Sequence, residues 1–206
     1  MTKIRAVLFD FSGTLFRLEH DSLVEHADLL RALTAPVGVA EGLDIDPVQW
    51  ERRDLDGDLH RELHLKALTA VGAEDPGDFY DRLCSPPYWQ PYPDTAAALG
   101  CGLPTAVVSN IAWDVRAVFA RHGVEGLVDE FVLSYEVGSV KPDPAVFRVA
   151  CERLGVEPAE ALMVGDSEEA DGGAAAIGCR VAIVPPLETA ERPDALLRVL
   201  REHGVA

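Results

Sequence analysis

The chain has 206 residues, 48% hydrophobic and 26% charged; these are globular values that exclude disorder, collagen and coiled coil and suggest one domain, or one domain with a sizeable insertion. Asp and Glu number 35 against 18 Lys and Arg, a formal charge of -17, so phosphate backbones and anionic lipid repel the chain and neither nucleic acid nor membrane is an expected partner. No apolar run approaches the ~20 residues of a membrane span, and residues 1–11 lack a signal-peptide layout.

Residues 4–11 are apolar apart from Arg5 and Asp10, which suits a strand buried on both faces. Gly13 and Thr14 break it. From residue 16 to about 83 the apolar residues fall at helical spacing (Leu23, Leu29, Leu30, Leu33; Leu55, Leu59, Leu63, Leu68). Three or four helices and no clear strand are expected there. The Pro-rich stretch 85–93 reads as a hinge, packed by Tyr88, Trp89 and Tyr92. After it, strands expected at 105–109, 131–134, 161–165 and 180–184 alternate with helices at 113–122, 144–154, 168–177 and 189–203. Such alternation implies βαβ units and a parallel sheet. The helical stretch is then an insertion over the carboxyl ends of the strands, where open parallel sheets bind ligands. The four Cys (Cys84, Cys101, Cys151, Cys179) form no CxxC pair and read as reduced core thiols of a cytoplasmic protein.

The informative residues each follow a strand. Asp10 ends the first, and a carboxylate in an apolar strand is costly unless it is paired or functional; it also suits a turn cap. Gly13 permits a tight turn whose backbone N–H groups can meet an anion. Ser109 and Asn110 follow the second strand and can either donate to an oxyanion or cap the next helix. Lys141 is one of only three Lys (Lys3, Lys66, Lys141) and sits in a loop fixed by Pro142 and Pro144. Asp166 and Asp171 flank a helix start, where the dipole favours anions. Gly172 to Ala176 are small enough to let that helix pack closely on the sheet.

These four signals, in this order, resemble the motifs of the haloacid dehalogenase-like (HAD) hydrolase superfamily, in its subgroup with a helical, C1-type cap. Motif one is Asp10-Phe11-Ser12-Gly13-Thr14, motif two Ser109, motif three Lys141, and motif four Gly165-Asp166 through Asp171. The resemblance implies an α/β fold: a Rossmann-like, doubly wound parallel sheet over residues 1–15 and 89–206, with an all-helical cap at 16–88. It implies Asp10 as nucleophile and Lys141 as the neutralising cation. It implies Mg²⁺ held by Asp10, Asp166 and the backbone carbonyl of Ser12, with Asp171 orienting Lys141 or standing behind the metal. Thr14, Ser109, Asn110 and Lys141, with the amides near Ser12 and Gly13, would hold the oxygens of the transferring group. The expected substrate is a small phosphorylated metabolite.

Ser12 departs from the family. Phosphatases that resemble this chain carry a second Asp two residues after the nucleophile, which protonates the leaving alkoxide and then activates water. A hydroxyl does neither well, and such acid–base groups contribute ~10²–10⁴-fold. The substrate could carry a good leaving group, a cap residue such as His60 or His64 could supply the acid, or the reaction could differ. Dehalogenases of the superfamily carry an aromatic residue at the Ser12 position and typically lack the first motif-four Asp, which is present here as Asp166. Phosphonate hydrolases use a cap Lys, and Lys66 is the only Lys in the cap. A degenerate member that binds a phospho-ligand or a partner without turnover is the remaining reading. His60 and His64, four apart on one helix face, are expected on a solvated or site-facing surface of the cap rather than at a zinc site. Arg17 and Trp113 are candidate substrate contacts, and Arg52-Arg53 reads as a charged helix face.

Overall fold

In the computed structural model, residues 2–19 and 45–205 are described. Five parallel strands form the main sheet: β1 (Ala6–Phe9), β4 (Thr105–Ser109), β5 (Glu130–Leu133), β6 (Ala161–Gly165) and β7 (Arg180–Ile183), in the order β5-β4-β1-β6-β7. A second, antiparallel ribbon pairs β2 (Phe16–Leu18) with β3 (Trp89–Pro91). The helices are α1 (Pro47–Arg52), α2 (Gly57–Ala70), α3 (Pro76–Leu83), α4 (Thr95–Leu99), α5 (Arg116–Arg121), α6 (Ser134–Val137), α7 (Pro144–Leu154) and α8 (Ala195–Glu202), with short 3₁₀ turns between several of them.

The three central strands β1, β4 and β6 are buried along their whole length because both faces are covered. Val7, Phe9, Val107, Phe131 and Val164 pack on one face with Phe119, Leu196 and Leu200. Leu8, Ala106, Val108, Val132 and Met163 pack on the other with Val146, Phe147 and Ala150 of α7. Sheet order runs one way from β1 to β4 and β5, and the other way to β6 and β7. The reversal leaves a crevice at the carboxyl end of β1, where such sheets take ligands. A third core, formed by Ile45, Trp50, Leu63, Ala67, Leu68, Phe79 and Tyr80, lies among α1, α2 and α3.

The ribbon corrects the expectation of no strand between 16 and 83. Three-residue strands carry too short a pattern to be read, and Phe16, Arg17 and Leu18 pair with Pro91, Gln90 and Trp89. Helix α4 was not expected either. The expected helix at 168–177 is a 3₁₀ segment, Asp171–Ile177, and the one at 189–203 divides into a 3₁₀ turn (Thr189–Glu191) and α8. Pro193, which has no amide hydrogen to donate, lies between these two pieces. Leu23, Leu29, Leu30 and Leu33 lie outside the described residues. All four cysteines are free thiols; Cys151 and Cys179 are buried, whereas Cys84 and Cys101 are only half-buried. No helix among the described residues is long and apolar enough to cross a membrane.

Candidate active site

β1 delivers Asp10, whose amide donates to the Val164 carbonyl of β6 (2.9 Å). The chain then turns through Gly13, at φ 75°. A Cβ at Gly13 would collide with the Asp166 carboxylate, so this turn needs glycine both for its left-handed backbone and for the close approach. Ser12 is exposed; Thr14 is buried, and its hydroxyl has no hydrogen-bond partner among the described residues. Ser109, buried, ends β4. Asn110 fixes the neighbouring loop: its Nδ2 donates to the Lys141 carbonyl (2.9 Å), and its Oδ1 accepts from the Lys141 amide (2.7 Å). Both ends of the Asn110 amide are thus taken by backbone.

Lys141 is 5% exposed, and its Nζ lies 2.7 Å from Asp10 Oδ1 and 2.6 Å from Asp171 Oδ1. The other Asp171 oxygen accepts from the Ser167 amide (3.0 Å). Carboxylate oxygens of Asp10, Asp166 and Asp171 lie within 4.8 Å of one another. Burial pushes Asp10 up to about 7; Lys141 opposes that shift, while Asp171 and Asp166 add to it. Asp166 is raised by burial and then by Asp171. Burial would lower Lys141, but Asp10 and Asp171 hold it above its ordinary value.

This charge balance fits a hard divalent cation. Three carboxylates face one ammonium, and the crowding holds Asp10 and Asp166 toward protonation. The donors are carboxylate oxygens without thiolate or imidazole, as Mg²⁺ prefers. Both Asp171 oxygens are engaged, which leaves Asp10 and Asp166 with oxygens to offer.

The remaining candidate residues have these surroundings. Arg17 pairs with Glu19 (2.9 Å) and donates to the Pro186 carbonyl. Trp113 packs edge-on to Phe11, with ring centroids 6.2 Å apart, and tilted against Trp89. His60 and His64, both on α2, are buried rather than on a solvated surface, their rings tilted against each other with centroids 3.9 Å apart. Arg53 is half-buried, with its guanidinium over the Trp50 ring.

Two residues beside the site escaped sequence reasoning. Arg192 is 1% exposed; it donates to the carbonyls of Gly13 and Thr14 and lies over the Tyr92 ring. Asp54 is a buried carboxylate in the turn between α1 and α2 that feels the charge of Lys141. Neither sits in a pattern; each acquires its place only through packing between segments distant in sequence.

A profile of the haloacid dehalogenase-like hydrolases matches residues 4–178. The chain is 31% identical over 197 residues to a glyceraldehyde 3-phosphate phosphatase of Methanopyrus kandleri, covering 82% of this chain and 78% of that one. It is 29% identical over 198 residues to an (S)-2-haloacid dehalogenase of Pseudomonas sp., covering 86% and 83%. It superposes on an L-2-haloacid dehalogenase of Xanthobacter autotrophicus, solved with chloropropionic acid covalently bound, at a TM-score of 0.70 and 27% identity, covering 98% and 84%. The chain belongs to the haloacid dehalogenase-like family and is a hydrolase.

Proposed function

We propose that this hydrolase is a Mg²⁺-dependent phosphatase that passes the phosphoryl group of a small metabolite to Asp10 and then to water. The observation that carries the reading is the buried Asp10–Lys141–Asp171 chain with Asp166 beside it. A carboxylate that attacks an anion needs its own charge and that of the substrate offset. Lys141 offsets part of it, and Asp10 and Asp166 would hold the cation that supplies the rest. Once bound, Mg²⁺ would neutralise charge on the transferring oxygens.

Asp10 Oδ attacks phosphorus while Lys141, anchored by Asp171, stays beside it. Ser109, at the end of β4, and the Thr14 hydroxyl, which is buried and unpaired among the described residues, would donate to phosphoryl oxygens. Asn110 serves by holding Lys141 rather than by reaching the substrate with its side-chain amide. The helical cap closes over the strand ends and excludes water.

Similarity to the dehalogenases supports a second reading, carbon–halogen cleavage by the same Asp10. One experiment separates the two. Release of phosphate is followed from acetyl phosphate, p-nitrophenyl phosphate and a set of sugar phosphates, and release of chloride from 2-chloropropionate, each with Mg²⁺ or EDTA. Expected is Mg²⁺-dependent phosphate release, reduced at least ~10³-fold by Asp10→Asn. Chloride release without metal, and no phosphate, would replace this reading with the second.

A further inference from the structure

The phosphatase reading leaves an unfilled role, because Ser12 has no carboxyl to offer. The turn Arg53–Leu55 brings a buried carboxylate, Asp54, against the loops that follow β4 and β5. α1 runs into a single 3₁₀ turn, Arg53–Leu55, and Asp56 then caps α2 through the Leu59 amide. This turn is docked on the core. The Ser134 hydroxyl donates to the Asp54 carbonyl (2.6 Å) and accepts from the Ile111 amide (2.8 Å). Gly57 lies against the same loop: a Cβ there would come to 3.3 Å from the Ala112 carbonyl. Ser134 follows β5 and Ile111 follows β4, so Asp54 is fixed to the two strand ends that lead to Lys141 and Ser109.

The Asp54 side chain is 11% exposed. Its nearest charged or ring-nitrogen partners among the described residues are His60 Nε2 at 3.6 Å and Arg53 Nη2 at 3.8 Å. Burial raises its pKa, against Arg53 and Lys141. His60 does not fill the role of proton donor near neutral pH: burial, then His64 and Arg53, push its pKa down to about 2, so the ring stays neutral. Its ring is nevertheless well placed. Nδ1 is 2.8 Å from the Tyr80 hydroxyl; when Tyr80 donates there, the remaining ring hydrogen sits on Nε2 and points to Asp54.

We propose that Asp54 of the cap performs the acid–base work that Ser12 cannot, with His60 as its positioning residue. This inference rests on the phosphatase reading. In the first step the Asp10 oxygen–phosphorus bond forms, the bond from phosphorus to the alcohol oxygen breaks, and the Asp54 proton passes to the departing alkoxide. In the second, water attacks phosphorus and gives a proton to the Asp54 carboxylate. The Asp10 oxygen–phosphorus bond breaks, phosphate leaves, and both carboxyl groups return to their starting states.

The test compares wild type, Asp54→Asn and Asp10→Asn on p-nitrophenyl phosphate, whose leaving group needs no proton, and on the best sugar phosphate found for the wild type. Asp54→Asn should lower kcat/KM on the sugar phosphate ~10²–10⁴-fold. It should retain a rapid, stoichiometric burst of nitrophenolate, followed by slow turnover as the aspartyl phosphate accumulates. Adding Ser12→Asp to Asp54→Asn should restore at least ~10-fold on the sugar phosphate, which a merely structural loss would not allow. If Asp54→Asn does not fold, Asp54→Glu, which shifts the carboxyl by one methylene, should change the sugar-to-aryl rate ratio at least ~10-fold. Unchanged sugar phosphate rates in Asp54→Asn, equal loss of burst and sugar activity without rescue, an unchanged ratio in Asp54→Glu, or a wild type active on aryl esters alone each overturn the role of Asp54. A wild type with no Asp10-dependent phosphate release from any ester overturns the phosphatase reading itself, an outcome distinct from all of these.

Discussion

Lys141 is the one cation among three carboxylates, and its two short contacts, to Asp10 at 2.7 Å and to Asp171 at 2.6 Å, set its position. Replacing it with methionine keeps the length of the stem and removes the charge. Asp10 and Asp171 then stay buried without an opposite charge, a change that costs ~3–5 kcal/mol when one partner of a buried pair is lost. For a chain of this size that lowers Tm by about 10 °C. Lys141→Met also removes the charge that offsets the attack of Asp10, so kcat should fall ~10²–10³-fold. Thermal melts and initial rates check both effects, and a stable but inactive variant would show that the ammonium serves chemistry without serving the fold. Residues of this kind are legible in a sequence because a charge at the end of an apolar strand stands out from its surroundings. Asp10 and Asp166 stand out in that way, and Lys141 stands out as one of three Lys, in a loop with Pro142 and Pro144. Asp54 does not: it follows Arg52 and Arg53 and precedes Asp56 and Asp58, and in such a run one acidic residue looks like the next. Only the docking of its turn on Ser134 separates it from its neighbours.

Among the elements, the core strands and α7 are legible because their patterns are long and continuous, and the edges are not. The ribbon of β2 and β3 spans three residues on each side, too few for any period to register. The segment after β7 reads as one helix from its apolar spacing, yet Arg192 interrupts it to reach the motif-one turn 178 and 179 residues away in sequence. Arg192 acts as a tertiary clasp. It satisfies the carbonyls of Gly13 and Thr14 and rests on Tyr92, while Asp94 caps the following helix by accepting from the amides of Leu196 and Leu197. Truncating Arg192 to methionine leaves the two buried carbonyls without that donor, at ~1–3 kcal/mol for each unsatisfied group. Arg192→Met should therefore destabilise the chain by roughly 2–6 kcal/mol, seen as a lower urea midpoint with an unchanged slope. Because the same turn carries Ser12 and Gly13, kcat should fall with it; a variant of normal activity would mean that the turn holds its shape without the clasp.

Over the molecule as a whole, the sheet and the helices α1–α3 keep separate apolar cores, and two buried histidines lie against Trp50 and Tyr80 of the third core. Sequence spacing places His60 and His64 on one helix face without saying whether that face looks out or in. Trp50 and Tyr80, at centroid distances of 5.5 and 5.8 Å from His64, turn it inward. The consequence is a pH-dependent cap. Burial lowers the His64 pKa to about 4, with the His60 carbonyl opposing and Arg53 adding to the shift. Below pH ~6.5 the unfolded chain takes up a proton that the folded cap refuses until about pH 4. The unfolded state then binds more protons, and stability falls as pH falls through that window. The raised carboxyls Asp10 and Asp54 act with the opposite sign over part of the same range, since the folded chain holds their protons at higher pH than the unfolded one does. The histidine contribution is therefore read as a difference between two chains rather than from the wild type alone. His64→Leu fills a similar volume and cannot titrate. Relative to wild type it should gain up to ~2 kcal/mol between pH 7.5 and pH 5.0, the 1.5-unit interval below pH 6.5 at ~1.36 kcal/mol per unit. Urea midpoints of both chains at the two pH values measure this double difference. A difference of zero would mean that the buried imidazole is protonated in the folded cap, with a neighbouring carboxylate to receive its charge.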